Sequence, residues 1–235
     1  MVDLKEEHKY EQLRKLGQEL HLPAPEAFWT LEVFDKNGKL LRRHRQRSHS
    51  WTRNAYNLLL SQMAGKNLDD PSPNFGPGFL SWKQTSGGII GSATGMSICI
   101  SQDYEASGKG YRAPAGDTTH GIVVGSGTDA ESFEDFKLQT LITEGSTAGK
   151  LNYILSAVPT KAYASLVFTI TQFRYMNNNS GGNVSVNEVA LTACGGTYGS
   201  QTKWITARDK LASTVTVPDT GQLKVTYTIQ LTYPS

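Results

Sequence analysis

Seven cations and no acid fall between Lys36 and Arg53: Lys36, Lys39, Arg42, Arg43, Arg45, Arg47 and Arg53. Side chains of that type at that density hold anions. If residues 40–47 form a strand, Arg43, Arg45 and Arg47 line one face, and Arg42, His44 and Gln46 line the other. A strand polar on both faces does not belong in a core. It is an edge guarded by charge, or it meets a negative partner. The chain carries a candidate counterpart in Asp129, Glu131, Glu134 and Asp135. In a homo-oligomer the basic hairpin of one copy can then meet the acidic segment of the next, head to tail, and close a ring. Arg42, Arg43, Arg45, Arg47, Asp129, Glu131, Glu134 and Asp135 are therefore candidate interface residues. Nucleic acid is the weaker alternative partner, because only Trp51 and Tyr56 interleave with the arginines as stacking platforms.

Catalytic patterns are absent from the sequence. His8, His21, His44, His49 and His120 form no HxxxH, HxH or HExxH spacing, so no metal-ligand motif emerges. The acids Asp103, Glu105, Asp117, Asp129, Glu131, Glu134 and Asp135 read as a solvated loop surface. Calcium is the sharper alternative, but the spacing of an EF-hand loop is missing. Gly125-Ser126-Gly127-Thr128 lacks the lysine of a phosphate-binding loop and reads as a tight turn after a buried strand. No GxSxG elbow occurs. Cys99 and Cys194 stand far apart and read as buried thiols, with a disulfide as the alternative although no secreted-scaffold pattern accompanies them. Glu188, set among Val184, Val186, Val189 and Leu191, is expected to be half-buried in a structural ion pair with Arg174 or Arg208. The expectation is a protein that is not an enzyme and has no cofactor or metal.

These residues must be positioned by elements that the hydrophobic pattern predicts. Leu13, Leu16 and Leu20 form a narrow apolar stripe on a charged helix from about Asp3 to Leu20, stopped by Pro23 and Pro25. That helix reads as an arm, residues 1–25, that docks on a neighbouring subunit and makes few contacts with its own domain. Residues 26–235 read as one β-sandwich domain. Phe28–Phe34 and Lys39–Arg47 form a hairpin around Asp35-Lys36-Asn37-Gly38. Thr52–Met63 forms a short helix with Tyr56, Leu59, Leu60 and Met63 inward. A long loop occupies residues 65–95. Strands follow at Met96–Ser101, His120–Val124, Tyr153–Val158, Ser165–Tyr175, Val184–Leu191, Trp204–Arg208, Val215–Val217 and Leu223–Leu231. In Ser165–Tyr175, Leu166, Phe168, Ile170 and Phe173 are expected inward, with a register change. Leu223, Val225, Tyr227, Ile229 and Leu231 alternate strictly and should lie in the middle of a sheet. The fold class is mainly β: an antiparallel sandwich, jelly-roll-like or immunoglobulin-like, with an N-terminal helix and one short helix after the first hairpin.

The chain has 235 residues, a formal net charge of +2 and 38% hydrophobic residues. This composition suits a folded domain, and neither a polycation nor a disordered tail. The charged start MVDLKEEHKYEQLRKL lacks the apolar centre of a signal peptide, and no run suits a membrane span. Folding in the cytosol, with no membrane partner, is the expectation.

The order of segments resembles a family of phage virion proteins, described as tail-fibre-like or as structural and decoration-type proteins. The resemblance is carried by WTLEVFDKNGKLLRRHRQ, WTRNAYNLLLSQM, HGIVVGSGTDAESFEDFKLQTLI, FTITQFRYMNNNSGGNVSVNEVALTA and WITARDKLASTVTVPDTGQLKVTYTIQLTY, covering residues 28–233. It implies a structural part of a virion, assembled in the host cytoplasm through contacts with copies of itself and with other virion proteins. A tail-associated place (fibre, baseplate or adaptor) is slightly favoured over a head decoration or vertex protein. The N-terminal helix and the dense arginines depart from the shared pattern and leave the partner open. From another class, a carbohydrate-binding module for host attachment would use Trp82, Tyr104 and Tyr111.

Overall fold

The computed structural model describes residues 4–64, 75–76, 79–90, 110–195 and 202–234. Among the described residues two helices and eleven strands follow in the order α1 (Leu4–Glu19), β1 (Ala24–Phe34), β2 (Leu40–Arg47), α2 (Arg53–Ala64), β3 (Trp82–Lys83), β4 (Ile89–Ile90), β5 (Gly121–Gly125), β6 (Asn152–Tyr153), β7 (Thr160–Ala164), β8 (Val167–Asn177), β9 (Val184–Gly195), β10 (Thr202–Val217) and β11 (Gln222–Thr232). The expected Met96–Ser101 strand, Cys99 and Tyr104 lie outside the described residues.

The strands form an antiparallel sandwich. One sheet runs β2-β1-β11-β8-β6, with β7 also paired to β8; the other runs β10-β9-β5. β3 and β4 make a small separate hairpin, and most of the expected 65–95 loop lies outside the described residues. β11 sits between β1 and β8, with Trp29 opposite Tyr227, Leu31 opposite Val225 and Ala24 opposite Thr232. Its alternation demands this place, because burying one face of a strand in mid-sheet removes every second side chain from water. Leu223, Val225 and Tyr227 are buried, whereas Ile229 is partly exposed.

The core lies between the sheets. Trp29, Leu31, Val33, Met176, Leu223 and Val225 meet Ile122, Val124, Val186, Val189, Ile205 and Val215. Trp82, Ala193 and Trp204 form a second cluster. Asp209 is buried among these apolar groups and accepts from Trp29 Nε1 at 2.7 Å, Ser48 Oγ at 2.6 Å and the His49 amide at 2.8 Å. Burial pushes its pKa up, and these donors counter only part of that.

The β1–β2 turn follows the sequence closely. The Asp35 carboxylate accepts the Asn37 and Lys39 amides, and Gly38 takes the positive φ of 77° that the turn requires. The β7–β8 turn does not follow such rules. Ser165 and Leu166 hold φ of 49° and 64° without a glycine or asparagine, and the expected inward Leu166 is exposed there. Phe173 is also corrected. β8 pairs β11 without a register shift, so Phe168, Ile170, Gln172, Arg174 and Met176 share the core-facing side and Phe173 points outward. Arg174 hides the alternation. It is buried and donates to the carbonyls of Ile154 (2.8 Å), Pro114 (2.9 Å) and Ile122 (3.2 Å). Burial lowers its pKa to about 10.

The expected strands at 204–208 and 215–217 are one strand, β10, broken in pairing between Lys210 and Val215. The expected 153–158 strand shortens to β6, and exposed β7 was not anticipated.

Candidate interaction surface

β2 is the edge of its sheet, and most of it is exposed. Its two polar faces have different tasks. On the side facing the second sheet, Arg42 donates to the Thr214 carbonyl at 2.7 Å and to Ser213 Oγ at 2.9 Å. Gln46 donates to the Lys210 carbonyl at 2.9 Å and accepts the Ala212 amide at 2.9 Å. Apart from Ser213 Oγ these are backbone groups of Lys210, Ala212 and Thr214, at the start of and within the β10 segment where pairing with β9 breaks. The polar inner face of β2 therefore satisfies an irregular stretch of the opposite edge, as buried and half-buried backbone requires.

On the outer side, Arg43 lies 3.6 Å from Glu32, and the Arg45 guanidinium sits 4.2 Å over the Phe28 ring. Arg47 departs from the expectation of an exposed interface residue, being 5% exposed. It belongs to a closed ring of four charges. Arg47 donates to Glu26 and, at 2.5 Å, to Glu7; Arg14 donates to Glu26 at 2.6 Å and to Glu7 at 3.3 Å. Tyr10 covers the Arg47 guanidinium at 3.9 Å, and His49 meets Glu6. Burial alone would lower the pKa of Arg47, but the hydrogen bonds to Glu7 and Glu26 raise it, and the Arg47 bond holds Glu7 below the usual carboxylate value.

The contacts of the N-terminal helix with its own domain are few, and no side chain of it enters the described core, but those contacts form a specific tie. The tie is ionic. Glu7, Tyr10 and Arg14 recur at helical spacing and face the β1–β2 corner, a polar stripe that sequence reasoning passed over in favour of the leucines. Leu13, Leu16 and Leu20 point elsewhere, 44%, 49% and 56% exposed.

The acidic segment is corrected in part. Asp135 is buried, its carboxylate 2.7 Å from Arg208 Nη1. Glu134 grips Arg53 of the same chain, with both oxygens 2.9 Å from Arg53 Nε. Glu131 accepts the Lys210 amide at 3.0 Å and lines a cleft of about 460 Å³ with Arg45, Gln46, Lys210, Glu6 and Glu7. Asp129 is exposed. Two of the four acids, Glu134 and Asp135, form ion pairs within the chain and Glu131 accepts a backbone amide, while among the bases Arg47 is buried in an ion pair and Arg42 and Arg43 have partners of their own. The ring built from basic hairpin on acidic segment loses those contacts.

Glu188 selects Arg208 rather than Arg174. It is fully buried, accepts Arg208 Nε at 2.9 Å, and takes the amides of Gly127, Gln139 and Thr140 at 3.1, 3.1 and 2.8 Å. A Cβ on Gly125 or Gly127 would come within 2.4 or 2.5 Å of the Glu188 carboxylate, so the glycines make room for it. Arg208 also donates to the carbonyls of Asp129 and Ala130 at 3.2 Å. The pair pins the whole 125–140 segment to β9 and β10. This is a structural role, with every lone pair directed at a fixed donor.

α2 reverses the expected orientation. Its buried side carries Asn54, which exchanges hydrogen bonds with the Lys83 backbone at 2.9 Å, and Asn57, which donates to the Ser81 carbonyl at 2.6 Å. Leu58 packs on the Trp82–Trp204 cluster. Tyr56, Leu59 and Leu60, expected inward, are exposed. The Met63 side chain lies outside the described residues. Tyr56 stands 5.7 Å from exposed Phe133 and 6.2 Å from Trp51, so α2 and the 133 loop present one aromatic and aliphatic face.

Of the glycan candidates, Trp82 is buried against Trp204, and Tyr111 is partly buried against the core. Among the described residues no three His, Cys, Asp or Glu side chains converge as a metal site, and no helix is long and apolar enough to cross a membrane. Comparison with family models, curated proteins and solved structures returned no match for this chain.

Proposed function

We propose that this chain is a non-enzymatic building block of a phage particle, assembled through contacts with copies of itself and other virion proteins. One observation carries the assembly part. Both helices are fastened to the sandwich mainly by polar groups, and both turn apolar side chains to the outside: Leu13 and Leu16 on α1 with Leu20 just past its end, Tyr56, Leu59 and Leu60 on α2. A helix of a self-sufficient domain does the opposite. Exposed apolar faces of this kind mark protein contacts. The charges with shifted pKa are held by fixed internal partners, Arg47 and Glu7 in ion pairs, Asp209 and Arg174 by hydrogen bonds to neutral groups, which favours a scaffold over a reacting site. The virion assignment rests on the segment order, and the tail position is preferred to head decoration on the same ground. The carbohydrate-binding alternative is weakened by the burial of Trp82.

Particles purified through a density gradient and analysed by quantitative mass spectrometry test the proposal. The expected result is this chain at a fixed integer ratio to the other particle proteins, with antibody label on the tail. Absence from purified particles overturns the virion role, and label on the head moves the chain to decoration or vertex.

A further inference from the structure

We infer that the exposed stripe of α1 pairs with α1 of a second copy, antiparallel across a two-fold axis, as an interface that deepens the assembly role proposed above. Lys9, Leu13 and Leu16 fall on one side of the helix at i, i+4 and i+7, and Leu20, in the turn just past its end and hydrogen-bonded back to the Leu16 carbonyl, continues the stripe at i+11. The side facing the sandwich is a different one, Glu7, Tyr10 and Arg14. Nothing in the ionic ring has to open for the leucines to be covered.

The second copy is favoured by the placement of charge. Lys9 ends the stripe toward the helix start and Glu19 borders it near the helix end. Both are exposed, and neither has an ion-pair partner among the described residues. The last turn of α1 also contains no basic residue, so its carbonyl end carries no cation of its own. An antiparallel pair centred between Leu13 and Leu16 sets Leu13 against the partner's Leu16 and brings Lys9 beside the partner's Leu20 and Glu19. Lys9 then supplies the missing cation to the partner helix end, and the two-fold repeats the contact. A parallel pair would stack Lys9 on Lys9 at one end and leave Glu19 at the other, without a cation. The sequence therefore complements itself in one orientation only.

Sedimentation equilibrium of the full chain tests the pairing, with circular dichroism to confirm that each variant is folded. The substitutions lie on an exposed face, so folding survives them. The wild-type chain is expected to dimerise below roughly 100 μM. Leu16→Glu abolishes the dimer. Lys9→Glu and Glu19→Lys each raise Kd roughly tenfold, because two symmetric attractions become repulsions. The double variant Lys9→Glu/Glu19→Lys returns Kd to within about threefold of the wild type. A wild-type monomer at roughly 100 μM, a dimer that survives Leu16→Glu, or a double variant no better than the singles overturns the pairing. Particle incorporation is measured separately. A monomeric chain still found in particles removes this interface and keeps the virion role; a dimer absent from particles does the reverse.

Discussion

Replacing Glu188 by alanine should cost this fold more than any other single carboxylate loss among the described residues. The substitution removes the acceptor of the Gly127, Gln139 and Thr140 amides and one partner of Arg208. A buried donor left without an acceptor costs about 1–3 kcal/mol, and breaking a buried ion pair from one side costs about 3–5 kcal/mol. These do not add, because Arg208 keeps Asp135 and two carbonyls, and water can enter from the exposed 128–134 loop. The expected loss is about 4 kcal/mol, against a total of about 5–15 kcal/mol for a domain. Glu188→Gln keeps one acceptor oxygen and the shape, and should lose about half as much. Urea titration gives the two losses, and native-state hydrogen exchange shows where they fall, with Gly127, Gln139 and Thr140 losing protection first. An alanine variant within about 1 kcal/mol of the wild type, or one destabilised without faster exchange at those amides, refutes the account of Glu188 as the pin of this loop.

Arg47→Met should free α1 without unfolding the sandwich, seen as rapid proteolytic cleavage near residues 20–22 with the remaining fragment intact. Acid should act the same way. Glu7 has its pKa depressed by Arg47, so its contribution to docking is complete above the ordinary carboxylate value of about 4.3 and is lost as pH falls through the lower folded value; cleavage that is no faster at pH 3 than at pH 6, with an acid-active protease, would count against the ionic tie. Tyr227→Asp should prevent soluble expression, since it puts a charge beside Trp29 in the closed core, while Ile229→Asp, at a partly exposed place in the same strand, should leave a folded but weakened protein. Normal melting of Tyr227→Asp would contradict the central burial of β11.

How much of this was legible in the sequence depended on whether a side chain's environment follows from its neighbours in the chain. β11 announces itself, because five alternating apolar residues leave one solution. The Asp35–Gly38 turn is equally local. β8 misled because a core-facing arginine looks like a surface residue until its carbonyl partners, 20 to 60 positions away, are known. α2 misled more instructively. The rule that a helix buries its apolar side placed Tyr56, Leu59 and Leu60 inward, but Asn54 and Asn57 find better use against the backbone of β3 and the residue before it. Exposed β7, TKAYA, carries no apolar period at all. In the candidate interface, the exposure of Arg43 and Arg45 could be anticipated from a doubly polar strand. The consumption of Arg47, Glu134 and Asp135 could not, since each meets a partner that only the tertiary fold brings near.

The register that sets Ala24 opposite Thr232 has a mechanical consequence. The segments leading into β1 and out of β11 leave the same end of the sheet on adjacent strands. Tension applied between them acts across the hydrogen bonds rather than along the strands, so it opens one pair at a time, like a zip, instead of loading all eleven pairs in shear. A domain connected this way yields at low force if it is stretched through those two segments. Load carried safely must enter through its faces, as compression against neighbours, with the strand ends left slack.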